Sequence, residues 1–314
     1  MRIRTRLLIL ILAVLLPAFA AAALAVGYVY LEERRAQENS VKETVRVFAL
    51  LVENELEIKA GVLQALASSP ALARGKLEEF YANAKSLAPS PESVIILHDL
   101  SGRQLLNTRV PLGSPLPVRR TSNIGELMEK HGAERPLVSD LFMAQLGQIH
   151  NFTIQVPVRT GGQIRSFLSM GVDARSLQEL MEQQRLPAEW QASIIDRQGR
   201  VVARSRDAEQ FRGRPVSELA MRMFAAQDEG VFSNRNLSGT PVQAFYGTVP
   251  NVGWKVLVSI PSAELRRVPL HAAAFLATIM LLILVAATLA AHRFGRRALA
   301  PIDHLARSAE DLGA

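Results

Sequence analysis

The sequence predicts an α+β protein with a long N-terminal helix and two antiparallel-sheet modules, flanked by two transmembrane helices. Three observations predict it. Two apolar runs without Asp, Glu, Lys or Arg, Leu7 to Leu31 and Val268 to Ala291, bracket everything polar. An apolar stripe of helical period follows the first run, and one block of strand and turn residues occurs twice in the middle of the chain.

Each apolar run is longer than the roughly 20 residues that cross a hydrocarbon core of about 30 Å. Arg2, Arg4 and Arg6 precede the first run, and Arg293, Arg296 and Arg297 follow the second. The positive-inside rule therefore puts both termini in the cytoplasm and residues 32–267 outside, with membrane lipid around the two spans. A cleaved signal peptide is the competing reading of the first run, given its basic start and the small residues near Phe19 to Ala23. The run continues through Val26 and Tyr28 to Leu31, past the length of an ordinary signal core.

The chain has 314 residues and a net charge of +7. Most of that excess is arginine beside the spans, so the outer segment is close to neutral and offers no basic face for nucleic acid. Without cysteine, disulfides, thiolate zinc sites and a cysteine nucleophile are excluded.

Beyond the first span, Val41, Val45, Phe48, Val52, Leu56, Leu63 and Leu66 recur in steps of three and four, with Lys59 as the polar occupant of the stripe. This predicts a helix to Ser68. Its stripe has two open readings: packing on the adjacent domain, or pairing with the same helix of a second subunit in a homodimer. Ser69 before Pro70 reads as a cap followed by a proline at the first helical position, opening a second helix from Ala71 to about Leu87.

Asp99-Leu100-Ser101-Gly102-Arg103 and Asp196-Arg197-Gln198-Gly199-Arg200 share an Asp-x-x-Gly-Arg turn between two strands. An aspartate opening the turn and a glycine at a positive-φ position are structural requirements of such a hairpin. A short helix follows each hairpin, near Ile124 to Lys130 and Val216 to Ala226. A strand then runs to a turn at Gly147 or Gly239, another ends at Val156-Pro157 or Val249-Pro250, and a last one covers Phe167 to Val172 or Trp254 to Ile260. Each copy thus reads strand, strand, helix and three strands, an antiparallel sheet with helical cover. The expected organisation is a cytoplasmic end and first span over 1–31, helices over 32–90, a membrane-distal module over 91–185 and a membrane-proximal module over 186–267. The second span over 268–291 and a linker over 292–314 complete it.

The paired hairpins, the block Val249-Pro250-Asn251-Val252-Gly253-Trp254 and the exit Ile260 to Leu265, in that order between two spans, resemble the double Cache family, PAS-like sensor domains of bacterial receptors. Leu299-Ala300-Pro301-Ile302-Asp303-His304-Leu305 resembles the opening of a HAMP linker, and the expectation is that the chain stops inside it. The resemblance implies the ligand-sensing and transmembrane-signalling region of a two-pass inner-membrane receptor, the input half of a sensor histidine kinase. The alternatives are the input half of a diguanylate cyclase or chemoreceptor, or an extracytoplasmic protein that binds a partner instead of a solute.

No catalytic residue, metal-ligand set or cofactor site is predicted. The six histidines have no ligand spacing, and no phosphate-binding glycine loop or nucleophile elbow occurs. The resemblance implies a ligand pocket in the distal module, drawn from Arg119 to Glu126, Ser139 to Phe142, His150 to Val156 and Phe167 to Asp173. Along His150 to Val156, alternation separates Asn151, Thr153 and Gln155 from Phe152, Ile154 and Val156, so the polar three form one strand face. Arg119 and Arg120 offer guanidinium forks for a carboxylate. Asp173 stands where amino-acid-binding members place an acid for the ligand amine, but their Arg-x-Trp-Tyr block is absent here. The expected ligand is a small molecule whose identity the sequence leaves open, with an organic acid as the candidate class.

Overall fold

The computed structural model describes residues 3–88, 93–116, 122–145, 148–184, 186–265, 274–275, 277–290 and 293. The chain divides into two compact units, residues 1–39 with 263–314 and residues 40–262. Among the described residues no helix is long and apolar enough to cross a membrane. Neither expected span is fully described, since several side chains of the first and residues 268–273, 276 and 291 of the second fall outside. The same holds for the HAMP-like segment and for Arg119 and Arg120.

Helix α1 (Ile3–Ala67) is continuous. The residues of its stripe, Val41, Val45, Phe48, Val52, Leu56, Leu63 and Leu66, are all buried within this one chain, so packing on the modules consumes that face. Lys59 is buried with them, its ammonium 2.7 Å from Glu55. A Cβ on Gly247 would lie 3.0 Å from the Val45 side chain, a measure of how closely helix and sheet approach. Arg46 pairs with Glu229, and Asn251 donates to Glu53, so polar bonds flank the apolar seam.

The expected second helix is instead two. α2 (Pro70–Ala73) starts where the sequence places it, with Ser69 accepting from the Ala71 amide and Pro70 in the first turn. It closes at once, because Gly75 takes φ +70° and the amides of Gly75 and Lys76 bond back to Leu72 and Ala71. That is a Schellman closure, which a glycine one residue past the cap makes easy. α3 (Leu77–Ser86) follows.

The first module, named distal only after the expected organisation, comprises β1 (Val94–His98), β2 (Gln104–Asn107), α4 (Ile124–His131), β3 (Leu137–Val138), β4 (Phe142–Met143), β5 (His150–Thr160), β6 (Gln163–Asp173) and α5 (Arg175–Glu182). Its strands order as β2-β1-β6-β5-β3, with β4 also on β5. The third strand expected here is reduced to the two-residue pieces β3 and β4. Between them Ser139 exchanges bonds with Thr153 and shapes a bend: the Ser139 amide donates to the Thr153 carbonyl, and the Thr153 amide donates to the Ser139 hydroxyl. β5 runs through Pro157 instead of ending there. Beyond Gln155 its only strand neighbour is β6, and an edge position tolerates a residue without N–H.

The proximal module repeats the order: β7 (Gln191–Ile195), β8 (Val201–Arg204), α6 (Ala208–Phe211), α7 (Glu218–Ala226), β9 (Gly230–Arg235), β10 (Pro241–Thr248) and β11 (Lys255–Pro261), arranged β8-β7-β11-β10-β9. Both hairpin turns have the expected chemistry. Asp99 and Asp196 accept from the amides of Arg103 and Arg200, while Gly102 and Gly199 take φ +81° and +77°.

The second turn also joins the modules. Asp196 accepts from the Leu141 amide, and Arg197 donates to Asp140, to the Val138 carbonyl and to the Val252 carbonyl. Nearby, the fully buried Trp254 meets Phe152 of β5 edge-on at 5.2 Å. Burial pushes the Asp196 carboxyl up to about 6 against three amide donors, and the neighbouring Asp140 adds to the rise.

Two outcomes follow for the stability of this unit. Leu63→Ala empties a fully buried position of α1 and should cost about 2–5 kcal/mol, read from the urea midpoint, whereas Glu57→Ala at an exposed position of the same helix should stay within about 0.5 kcal/mol. Because the folded state holds Asp196 above its unfolded value, the contribution of this group is complete below about pH 4 and is lost as pH rises through about 6. The loss should be on the order of 2 kcal/mol, and Asp196→Asn should flatten that limb of the stability profile.

Candidate functional site

Strand register builds one polar wall in the distal sheet. Directly opposed residues of antiparallel strands share a face. Gln155 of β5 faces Ser169 of β6, Ser169 faces Ile96 of β1, and Ile96 faces Asn107 of β2. The next row is Thr153, Gly171 and Val94. Glycine in the centre of that row leaves room that a side chain would take up.

Over this wall lies a cavity of about 110 Å³, roofed by Ser122, Ile124 and Met128 at α4 and edged by Phe142. Asn151, Thr153 and Gln155, the three polar residues that alternation isolates, all line it and are themselves buried. The Gln155 amide is held at both ends, accepting from Ser169 at 3.1 Å and donating toward the Met128 sulfur. Asn107 is held likewise, donating to Gln104 and accepting from the Arg109 amide. Asn151 differs: its Oδ1 is buried and has no hydrogen-bond partner among the described residues. A flip of that amide would present its NH₂ instead, so the position can offer either polarity to a solute.

The only formal charge among the described lining residues is Arg109, immediately after β2; His98, half-buried, accompanies it. No aspartate or glutamate is among them. Asp173 shares a face with Asn151 by register but does not line the cavity. Its carboxylate accepts from Nε, Nη2 and the backbone amide of Arg175 at the start of α5. Burial pushes the Asp173 carboxyl up, but these hydrogen bonds outweigh it and hold the group below the ordinary carboxylate range.

Sequence reasoning missed the contribution of the first hairpin, namely Val94, Ile96, His98, Gln104, Asn107 and Arg109. The strand Val94 to Leu97 is apolar without alternation, so nothing in it announces a cavity face. The signal that existed was register: had Ile96 been paired with Asn107, Arg109 would have fallen at the same edge of the sheet.

No protein-family model matches the chain, and no curated protein sequence matches it. Solved structures do share the fold. The extracellular domain of a protein described as a histidine kinase, rpHK1S-Z16, is 12% identical with a TM-score of 0.54, over 74% of this chain and 98% of that one. The ligand-binding domain of the Pseudomonas fluorescens chemoreceptor CtaA, in complex with L-isoleucine, is 13% identical with a TM-score of 0.55, over 74% and 95%. That of the Pseudomonas aeruginosa amino acid chemoreceptor PctB, in complex with L-Arg, is 16% identical with a TM-score of 0.54, over 73% and 97%. Over about three quarters of its length the chain thus shares the fold of these extracellular and ligand-binding domains.

Leaving a buried amide oxygen without a donor costs about 1–3 kcal/mol. Asn151→Leu should therefore stabilise the ligand-free protein by about 1 kcal/mol in chemical denaturation, a gain that a residue selected for packing would not show.

Proposed function

We propose that the chain is the ligand-sensing and membrane-crossing input region of a bacterial signalling receptor, and that its distal cavity takes a small organic acid. The observation that carries this reading is a concave, partly apolar site with a row of buried polar side chains, Arg109 as its one described charge and no carboxylate in its described wall. A guanidinium fork matches a carboxylate, and the neutral amides and hydroxyls of Asn151, Thr153 and Ser169 suit its oxo or hydroxy substituents. An amino acid would bring an ammonium group with no acidic partner there. The sequence offers none in 117–121 or 146–147 either, while Arg119 and Arg120 add positive charge to the first of these segments.

Size points the same way. A dry cavity of about 150 Å³ accepts benzene, so about 110 Å³ suits a solute of roughly five heavy atoms. A concave polar site of this kind favours a solute over a protein partner.

Membrane residence rests on the two apolar runs and on the many large apolar side chains that their described parts expose, among them Leu16, Leu24, Val29, Phe275, Leu282 and Leu289. Such surface is at home in lipid. On the outer part of α1 the exposed Val47, Leu50 and Ile58 offer a second apolar strip for a homodimer, distinct from the buried stripe. The HAMP-like start after the second span suits a cytoplasmic output, a histidine kinase in the leading reading and a diguanylate cyclase or chemoreceptor in the alternatives.

The bonding between modules supplies a route for the signal. Asn123, between cavity-lining Ser122 and Ile124, donates to Asp140 at 2.7 Å, and Asp140 holds Arg197, which reaches the Val252 carbonyl before β11. A solute acts by binding one arrangement of these contacts more tightly than another, shifting a pre-existing equilibrium.

The test is a thermal-shift and calorimetric screen of the full chain in lipid nanodiscs, comparing two- to four-carbon carboxylic, hydroxy and keto acids with amino acids. At least one acid should bind, and Arg109→Ala should weaken it about 10- to 100-fold, the scale of a charge-assisted hydrogen bond. Binding by amino acids alone, unaffected at Arg109, would overturn the assignment.

A further inference from the structure

Gly171, Gly230 and Gly247 each lie in a strand, β6, β9 and β10 respectively. The last two make room for packing. A Cβ on Gly230 would lie 2.7 Å from the Tyr246 hydroxyl, and one on Gly247 would lie 3.0 Å from the Val45 side chain. Gly171 is different. A Cβ there would meet Asn151 Nδ2 at 3.6 Å and the Val94 Cβ at 3.8 Å, ordinary contacts that displace nothing. Its φ is not positive, and it pairs with Thr153 on one side and Val94 on the other with no register shift at that point, so neither a turn nor a bulge requires glycine. Glycine weakens a strand interior, and where no bulge or bend calls for it, it marks the close approach of a ligand or of another backbone. The backbone atom nearest to that Cβ, the Val94 carbonyl oxygen, is 3.9 Å away, which is no close approach. The space left at Gly171 belongs to the distal cavity, whose wall it helps to form.

The proximal module shows the same position filled. β7 pairs with β8 and β11 as β1 pairs with β2 and β6: Ser193 faces Arg204 and Leu257 as Ile96 faces Asn107 and Ser169. On that register Ser259, between Gln191 of β7 and Ala244 of β10, takes the place of Gly171, and Leu257 takes that of Ser169. Tyr246, opposite Leu257, takes the place of Gln155 and packs with Phe232 and Ala244 in an apolar cluster. The hollow there is about 60 Å³, against about 110 Å³ in the distal module. The same backbone pairing encloses less room where the central strand carries the larger side chains.

Gly171 also has a defined place relative to the charge of its cavity. It stands in the row Thr153, Gly171, Val94, and Arg109 leaves the first hairpin beside Val94, since the Thr108 amide still donates to the Ile95 carbonyl. Neighbouring strands are about 4.8 Å apart, so about 10 Å separates Gly171 from the Arg109 end of the row. A solute whose carboxylate is held by Arg109 therefore turns its carbon tail across Val94 toward Gly171. We propose, on the reading of this cavity as an organic-acid site, that Gly171 determines the length of acid it accepts: the missing side chain admits a third carbon, and a side chain there restricts the site to shorter acids. On the measure that gives benzene about 150 Å³, one heavy atom takes about 25 Å³, so the methyl group of an alanine removes the room of one ligand carbon from about 110 Å³.

The probes are the sodium salts of the straight two-, three- and four-carbon acids and of their 2-hydroxy forms, titrated by calorimetry into the full chain in lipid nanodiscs. Wild type should bind at least one acid of three or four carbons. Gly171→Ala should raise the Kd of the longest acid bound at least about tenfold, the scale of overpacking by one methyl group, and change that of the acid one carbon shorter by less than about threefold. Gly171→Ser, which copies the proximal residue, should do the same. Both variants should melt no lower than wild type without ligand; a lower melting temperature for Gly171→Ala shows that the glycine serves packing and overturns the proposal. Wild type binding nothing longer than two carbons overturns it as well. Weakening of short and long acids alike, or of neither, overturns it and leaves the reading of the cavity to its own test at Arg109. Binding of no acid by wild type overturns both.

Discussion

The two-residue period of β5 is the constraint on which the arrangement of this fold depends. Successive side chains of a strand must leave on opposite faces. Asn151, Thr153 and Gln155 therefore enter the cavity together, while Phe152, Ile154 and Val156 are driven into the core. Phe152 meets Trp254 edge-on, so the strand that lines the first cavity is also packed against the residue that precedes β11. The same backbone carries both faces.

Polar bonding reinforces this mechanical link and makes it specific. Apolar contact between Phe152 and Trp254 tolerates sliding, whereas Arg197 fixes register by reaching three groups on two elements: the Asp140 carboxylate and the carbonyls of Val138 and Val252. Its neighbour Asp196 holds the Leu141 amide while closing its own hairpin. A turn that sequence reasoning treats as purely local thus has two tasks. Among the described residues the corresponding Asp99 bonds within its own turn, to Ser101 and Arg103. Divergence between two copies of a module is visible here as the same residue type bonded within its own turn in one copy and across an interface in the other.

The same divergence explains the pockets. Equivalent hairpins and equivalent sheet orders create equivalent hollows with different linings, and one of the differences is the strand position held by Asn107 in one and Arg204 in the other. A neutral amide there can be satisfied by its neighbours, as Asn107 is by Gln104 and the Arg109 amide. A guanidinium has five donors and in this setting finds partners for only some of them. The fold repeats because backbone pairing repeats; the chemistry does not, because the side chains that line each hollow differ.

The sequence by itself determined the periodic features: the buried stripe from Val41 to Leu66, the cap at Ser69 and Pro70, the paired Asp-x-x-Gly-Arg hairpins, and the separation of Asn151, Thr153 and Gln155 from their apolar neighbours. Each is a local consequence of helix or strand geometry acting on side-chain type. The break at Gly75 and the pairing of Asp173 with Arg175 are local, whereas tertiary structure alone decided the shrinking of the third distal strand to β3 and β4 and the recruitment of Arg109 to the cavity. It also decided that Arg204 would be buried with donors to spare. Those outcomes depend on which strands become neighbours and in what register, and register is fixed by contacts between residues far apart in the chain, which no local pattern encodes.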